Sequence, residues 1–344
     1  MGRTPVAVLV LLLTVWLVSA PGCGVQDEAE LVAYVAHDSE FSEPILDDFE
    51  SEIGIKVQKK FDTESTKTVG LTNAIISEAD RPRCDVFWNN EILNTLRLQR
   101  EGLLAAYKSP EAENYPQMFR SPDDLWCGFA ARARIIIVNT DLVPVEQRPT
   151  SIHDLARSEF RGRCGIAKPL FGTTATHAAC LFAAWGDDAA KAYFQSLKDN
   201  EVHVMAGNKQ VAMAVAEGEL AFGLTDTDDA MVAIGRGYPV EIIYPDREAD
   251  QLGTLFIPNT VAIMKDCPHP EAAKKLVDYL LRAETEAKLA ASDSAQIPLN
   301  EQNAEVEAQV ETPQTVKAME VDFNAAADRW DDVAAFIRET FGAD

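Results

Sequence analysis

Residues 31–61 read LVAYVAHDSEFSEPILDDFESEIGIKVQKKF, and the pattern of apolar residues in this segment predicts a strand, a helix and a second strand. The first six residues form a continuous apolar run, which is typical of a buried parallel strand. Apolar residues then recur with helical spacing from Ile45 to Ile53, and Gly54 favours the end of a helix. Residues 55–61 are predicted to form the second strand. This order is typical of a βαβ unit in an open sheet.

The same alternation continues along the chain in two blocks. The first block ends with a short predicted strand over residues 85–88, and the second begins with a β-branched strand over residues 135–139. A later strand is predicted over residues 220–224, and a final strand over residues 255–263 returns after the second block. We therefore predict an α/β fold with two lobes, each an open mixed sheet flanked by helices, joined by two crossing segments.

The order of the blocks predicts the domain organisation. Lobe 1 is assigned residues 31–131 and 258–295, and lobe 2 is assigned residues 132–257. Residues 296–344 are predicted to form a helical, acidic tail that packs on the lobes.

The first 22 residues are predicted to be a secretory signal peptide. Arg3 precedes an apolar run from Val6 to Val18, which is too short to be a good membrane span. Small residues then precede Cys23, as in a bacterial lipobox, so we expect Cys23 to be lipidated and residues 23–30 to form a linker. The alternative is simple cleavage after Ala20. A lipid on Cys23 would hold the protein at the periplasmic or cell-surface side of a membrane.

Length, composition and charge exclude several classes of protein. The 344 residues, 47% of them hydrophobic, suffice for two domain cores. A formal net charge of −24 disfavours nucleic acid as a partner, because phosphate backbones are repelled. The six cysteines include no C-x-x-C pair, so a zinc ribbon is disfavoured. No Ser-His-Asp order, P-loop or zinc signature is present, and we expect neither an enzyme nor a cofactor.

Several short motifs occur in an order that resembles a known family. The motifs are Asp85-Val86-Phe87-Trp88, Gly102-Leu103-Leu104, Arg132-Ala133-Arg134, Gly218-Glu219-Leu220 and the segment from Pro270 to Val277. Together with residues 31–57, they resemble type II periplasmic solute-binding proteins of ABC importers, and are most similar to the ferric-ion-binding branch. The resemblance implies a monomeric receptor whose two lobes close on a small ligand and which docks on an ABC permease of the inner membrane.

The chain departs from the ferric-ion-binding branch at the metal site. In those relatives, two adjacent tyrosines that follow a Gly-Glu pair and a strand bind the metal. Here Asp228 and Asp229 fall on the tyrosine positions. A histidine near the end of the first strand is also a ligand in some relatives, and His37 followed by Asp38 lies there. The resemblance therefore implies metal ligands at Asp228, Asp229 and His37, and the neighbouring Asp226 completes the predicted metal site.

The three aspartates also point to a binding site on chemical grounds. They follow a predicted strand, where open α/β sheets present side chains to a cleft. Carboxylates this close repel one another unless a cation balances them. Carboxylate oxygens suit hard metal cations, and they also suit an organic ammonium group. The alternative is that these residues cap the start of a helix.

Other residues near predicted strand ends are candidates for ligand binding. Thr173 and Thr174 open a helix after a strand, where backbone N–H groups favour an anion, and relatives hold an anion near this spot. Glu64 and Lys67 lie at a similar helix start in the first block. Trp88 can stack on a cation or fill the edge of a lobe. The full set of ligand candidates is Asp38, Glu64, Lys67, Trp88, Asn90, Glu91, Thr173, Thr174, Asp226, Asp228 and Asp229.

We therefore expect the solute-binding component of an ABC importer, with ferric iron or another hard metal ion as cargo, bound either alone or with an anion. A small zwitterion such as an aminophosphonate is the alternative cargo. A solute sensor would share the same fold and cleft. A metal-dependent hydrolase is the alternative from another class, because an aspartate cluster can also serve a catalytic metal.

Overall fold

The computed structural model of the chain describes residues 1–2, 30–62, 68–303, 306 and 308–342. Residues 3–22 of the predicted signal peptide, Cys23, and the ligand candidates Glu64 and Lys67 lie outside the described residues. Among the described helices, none combines the length and apolar character needed to cross a membrane.

Ten strands and eleven α-helices alternate along the described chain. The strands are β1 (Glu30–Val35), β2 (Lys56–Phe61), β3 (Val86–Asn89), β4 (Leu104–Ala105), β5 (Cys127–Asn139), β6 (Cys164–Ala167), β7 (His203–Met205), β8 (Phe222–Asp226), β9 (Val240–Ile243) and β10 (Phe256–Met264). The helices are α1 (Ser39–Ile53), α2 (Val69–Ser77), α3 (Leu93–Arg100), α4 (Gly172–Trp185), α5 (Asp187–Asp199), α6 (Asn208–Ala216), α7 (Thr227–Gly235), α8 (Pro270–Leu280), α9 (Ala283–Ala291), α10 (Phe323–Asp328) and α11 (Trp330–Phe341).

The strands form two mixed half-sheets that share β5. Their order is β2-β1-β3-β10-β5-β8-β6-β7, with β4 paired to β10 and β9 paired to β5. β5 pairs antiparallel with β10 up to Ala133 and with β8 from Arg134 onward. We call β1–β4 and β10 with their helices the first lobe, and β6–β9 with their helices the second lobe. The predicted α/β fold with two lobes and two crossing segments is confirmed, because the chain enters the second lobe through β5 and returns through β10.

The apolar core lies on both faces of each half-sheet. In the first lobe, Phe49 of α1 and Val86 of β3 belong to one buried cluster, and Phe87 and Leu93 belong to another on the opposite side. In the second lobe, Phe222 of β8 lies in a third cluster. The predicted boundaries between the lobes, at residues 131/132 and 257/258, remain predictions. They lie beside the Arg132–Ile257 pair of the β5–β10 ladder.

β5 is longer than the sequence predicted. We expected a strand from Ile135, but it begins at Cys127, and all 13 of its residues are buried. Arg132 and Arg134 interrupt the apolar pattern, and a fully buried arginine is rare unless it is paired. Both arginines have buried acidic partners, which explains why the strand continues through them.

The tail is less helical than predicted. Among the tail residues that the structure describes, helices begin at Phe323, apart from a short 3-10 turn at Glu301–Asn303. Pro313 interrupts the segment before Phe323, and Ala318 forms a bridge with Thr254 near the start of β10, so this part is held by the hinge region instead. The tail does pack on both lobes, because α10 contacts α3 and α4 while α11 contacts α4 and α5.

One buried carboxylate links β5, the strand that joins the lobes, to the start of the tail by hydrogen bonds. Glu286 of α9 accepts hydrogen bonds from the backbone N–H groups of Ala130 (2.7 Å), Leu299 (2.8 Å) and Asn300 (2.7 Å). Ala130 has a left-handed φ of 45°, and the β5–β10 register shifts between Ile257 and Asn259. Burial raises the pKa of Glu286, and the backbone donors lower it only in part. Glu286 therefore compensates for an irregularity in the strand that joins the lobes.

Replacing Glu286 with Gln tests this assignment. The NH2 group of the amide replaces one carboxylate oxygen and faces backbone N–H groups, which are also donors. At least one buried backbone N–H therefore loses its acceptor, and the free energy of unfolding should fall by about 1–3 kcal/mol. Denaturant unfolding should show this loss. Glu284→Gln, at an exposed position on the same helix, should change stability by less than about 0.5 kcal/mol. Equal stability of the two variants would contradict the role given to Glu286.

Candidate ligand site between the lobes

Asp226, Asp228 and Asp229 lie together at the junction of β8 and α7. β8 extends to Asp226, two residues beyond the predicted strand, and α7 begins at Thr227. Each aspartate offers a carboxylate oxygen within 4.8 Å of the other two. Asp226 and Asp228 are buried, whereas Asp229 is half-buried. The sequence therefore placed the three acidic groups correctly in one spot.

Asp226 is held by a buried polar cluster within the second lobe. Its Oδ1 accepts a hydrogen bond from Arg134 Nη1 at 2.7 Å. Its Oδ2 accepts from Thr173 Oγ1 at 2.5 Å and from Asn208 Nδ2 at 3.0 Å. Arg134 also donates to Thr174 Oγ1 at 3.2 Å, and Thr174 bonds to Asn208 Oδ1 at 3.0 Å. The side chains of Thr173 and Thr174 are thus engaged with the second lobe, which favours a positioning role over direct contact with an anion.

Asp228 forms the second buried ion pair of the site. Its Oδ2 lies 2.9 Å from Arg132 Nη1, and both side chains are at most 3% exposed. Arg132 Nη2 also donates to the backbone carbonyl of Asn90, which follows β3 in the first lobe. Arg132 therefore links the start of α7 to the first lobe.

These pairs supply the positive charge that the aspartate cluster was predicted to need. From the sequence, Arg132-Ala133-Arg134 was recognised only as part of a family resemblance, and its role in pairing with the aspartates was not predicted. The signal was available, because two arginines at i and i+2 in an apolar strand lie on one face. Asn208 was also missed, and nothing in its local sequence distinguishes it from an ordinary first residue of a helix.

The pKa values of the two buried aspartates shift in opposite directions. Burial raises the pKa of Asp226, but Arg134 and Arg132 lower it, and the net shift is downward. Burial also raises the pKa of Asp228; Arg132 lowers it, whereas Asp226 and Asp38 raise it further, and the net shift is upward. Asp226 is therefore the more firmly ionised group, and Asp228 is the one whose charge is more easily lost.

The first lobe contributes His37 and Asp38, which follow β1. The carboxylate of Asp38 is close enough to raise the pKa of both Arg132 and Asp228. His37 is buried, and its ring centroid lies 5.6 Å from that of Trp88. Trp88 is itself 1% exposed and lies 5.5 Å from Phe129. Trp88 thus fills the lobe interior, in agreement with the second of the two interpretations of this residue.

Glu91 is a buried cap that also joins the two lobes. Its carboxylate accepts from the backbone N–H groups of Leu93 (2.6 Å) and Asn94 (3.0 Å) at the start of α3. Thr176 of α4, in the second lobe, donates its hydroxyl to the same carboxylate at 2.7 Å. Both oxygens of Glu91 are therefore engaged, which favours a role in holding α3 and α4 together.

Most tyrosine hydroxyl groups of the described chain are hydrogen-bonded away from the aspartate cluster. Of the seven tyrosines, five have hydroxyl groups with partners outside the aspartate cluster. These pairs are Tyr34 with Glu78, Tyr107 with Asp278, Tyr115 with the Leu281 carbonyl, Tyr193 with the Ile152 carbonyl, and Tyr244 with the Glu311 N–H. The acidic oxygens that meet at the start of α7 are those of Asp226, Asp228 and Asp229.

Similar proteins include receptors for both metal and organic cargo. Iron uptake protein A1 of Synechocystis sp. is 28% identical over 269 residues, which span 73% of this chain and 72% of that protein. The putative 2-aminoethylphosphonate-binding periplasmic protein of Salmonella typhi is 24% identical over 56% of each chain.

A solved structure shows the same fold over almost the whole chain. Iron-bound HitA from Pseudomonas aeruginosa aligns with a TM-score of 0.82 at 20% identity, covering 91% of this chain and 99% of its own. The family described as bacterial extracellular solute-binding protein matches residues 94–326. Members of this family are receptors rather than enzymes, which disfavours the metal-dependent hydrolase. The chain belongs to the family of bacterial extracellular solute-binding proteins.

Proposed function

We propose that the protein is the periplasmic receptor of an ABC importer and that its cargo is a hard metal cation, ferric iron in particular. The observation that carries this proposal is the meeting of three aspartate oxygens within 4.8 Å at the start of α7. Oxygen ligands of this kind suit hard cations. Support also comes from the iron uptake protein of Synechocystis sp.. The partner would be the permease of the inner membrane.

The balance of charges in the site favours a cation. Four carboxylates, those of Asp38, Asp226, Asp228 and Asp229, share the site with two guanidinium groups. Because Arg134 and Asp226 form a buried ion pair, Asp226 would hold the cluster in position and not bind the cargo directly. Asp228, Asp229 and Asp38, with His37, would supply the ligands. Lys209, paired with Glu40 at the edge of the site, adds one positive and one negative charge. The carboxylates still outnumber the cationic groups, and a cationic cargo would relieve the remaining repulsion.

A co-bound anion has a donor available beside the aspartates. The Nε of Arg132 is buried and has no hydrogen-bond partner among the described residues. A buried donor without a partner carries a desolvation penalty, which an acceptor group of the ligand would remove. The same group would also bind the acidic end of a zwitterion, whose ammonium group would meet the aspartates. An aminophosphonate therefore remains the second candidate, in line with the Salmonella relative.

Cargo identity is tested by titrating chelator-treated protein with ferric citrate and, separately, with 2-aminoethylphosphonate. A ligand that binds only the folded state stabilises it by about 2.7 kcal/mol at a hundredfold excess over Kd. We expect ferric citrate to raise the melting temperature, while citrate alone and 2-aminoethylphosphonate leave it unchanged. Stabilisation by 2-aminoethylphosphonate alone would replace the metal with the zwitterion as cargo.

Two aspartate variants separate binding from folding. Asp229→Asn removes a half-buried ligand, so iron affinity should fall about tenfold to a hundredfold while stability is nearly unchanged. Asp226→Asn leaves the fully buried Arg134 without its counter-charge, so the free energy of unfolding should fall by about 3–5 kcal/mol. Calorimetric titration and denaturant unfolding measure the two effects. Wild-type affinity in Asp229→Asn would remove this residue from the site.

We also propose that a lipid on Cys23 anchors the protein, because the apolar run of the leader ends in small residues before this cysteine. Cys23→Ser should move the protein from the membrane fraction to the soluble fraction after cell lysis and high-speed sedimentation. Unchanged sedimentation of the variant with membranes would show that Cys23 is not the anchor.

A further inference from the structure

One ion pair joins the lobes at the solvent-exposed edge of the cleft. Lys209 lies on the first turn of α6 in the second lobe, and its Nζ lies 3.0 Å from Oε1 of Glu40. Glu40 lies on the first turn of α1 in the first lobe. Each side chain is 45% exposed. The neighbouring Asn208 is turned into the buried cluster around Asp226, so the start of α6 contributes both to that cluster and to the contact between the lobes.

Lys209 lies among carboxylates from both lobes. The hydrogen bond to Glu40 is the largest influence on the pKa of Lys209 and raises it. Burial lowers this pKa, but the negative charges of Glu40, Asp38 and Asp229 raise it further, and the net shift is upward. Asp38 and Glu40 belong to the first lobe, and Asp229 belongs to the second. Closing the cleft brings these like charges together, which opposes closure. An ammonium group between them offsets that repulsion.

We propose that Lys209 is a positioning residue that holds the two lobes closed by pairing with Glu40. This contact differs from the hydrogen bond between Thr176 and Glu91, which is buried and shielded from salt. The Lys209–Glu40 pair is exposed, so it forms and breaks in water and is screened by ions. The lobes therefore have a closing contact that belongs to the chain itself and does not depend on which cargo is bound.

The expected effect is modest and measurable. Exposed ion pairs of this geometry shift an equilibrium by about 1.4-fold to fivefold. Loss of the pair should lower the closed-to-open ratio of the cargo-free protein by that factor. Raising the salt concentration should produce the same shift in the wild type and little further shift in the variants.

The test uses chelator-treated, cargo-free full-length mature protein at low salt. Lys209→Met and Glu40→Gln should each enlarge the radius of gyration in solution scattering and speed hydrogen exchange at residues 226–229. The charge-swapped double variant, Lys209→Glu with Glu40→Lys, should return both values toward the wild type. Lys191→Met is the control, because Lys191 pairs with Asp187 at 3.2 Å with similar exposure but within one helix of the second lobe. This control should match the wild type.

Two outcomes would overturn the proposal. If both single variants keep the wild-type dimensions and exchange rates, the ion pair does not influence closure. If the swapped variant is as open as the single variants, the two residues act separately and not as a pair. Both residues are half-exposed, and melting temperatures near that of the wild type would confirm that the variants fold. Cargo affinity is not needed for this test, so its outcome is independent of the proposed metal.

Discussion

Two arginines on a fully buried strand impose the central constraint on this structure. Arg132 and Arg134 are at most 2% exposed, and a buried guanidinium group is tolerated only with a counter-charge. Asp226 and Asp228 supply that charge, and the register that places Arg134 opposite Asp226 fixes β5 against β8. The start of α7 must then lie beside the crossing strands. The position of the candidate site therefore follows from the need to neutralise two arginines.

This constraint also assigns different roles to the aspartates. Asp226 is committed to Arg134, Thr173 and Asn208, so it holds the cluster in place. Asp228 shares Arg132 with the Asn90 carbonyl of the first lobe, and burial together with the charges of Asp226 and Asp38 raises the pKa of Asp228 although Arg132 lowers it. A cation reaching Asp228, Asp229 and Asp38 would draw on groups of both lobes. In the proposed function, binding and closure would be coupled through the same charges.

The sequence predicted the fold well because alternating apolar runs and helical spacing are local signals. It also brought the three aspartates together, since they are close in the chain. It could not predict that Arg134 pairs with Asp226, because that contact depends on an antiparallel register between segments 92 residues apart. The hydrogen bond from Thr176 to Glu91 and the packing of Trp88 against His37 depend on tertiary contacts in the same way. The extended part of the tail was missed because a bridge to Thr254 overrides its local preference.

The most direct test is an anomalous difference map at the iron absorption edge, from crystals of the protein grown with ferric citrate. We predict one strong peak between the lobes, within coordination distance of carboxylate oxygens of Asp228 and Asp229, and no tyrosine oxygen in the coordination shell. Absence of a peak in the cleft, or a peak coordinated only by residues outside it, would contradict the proposed function.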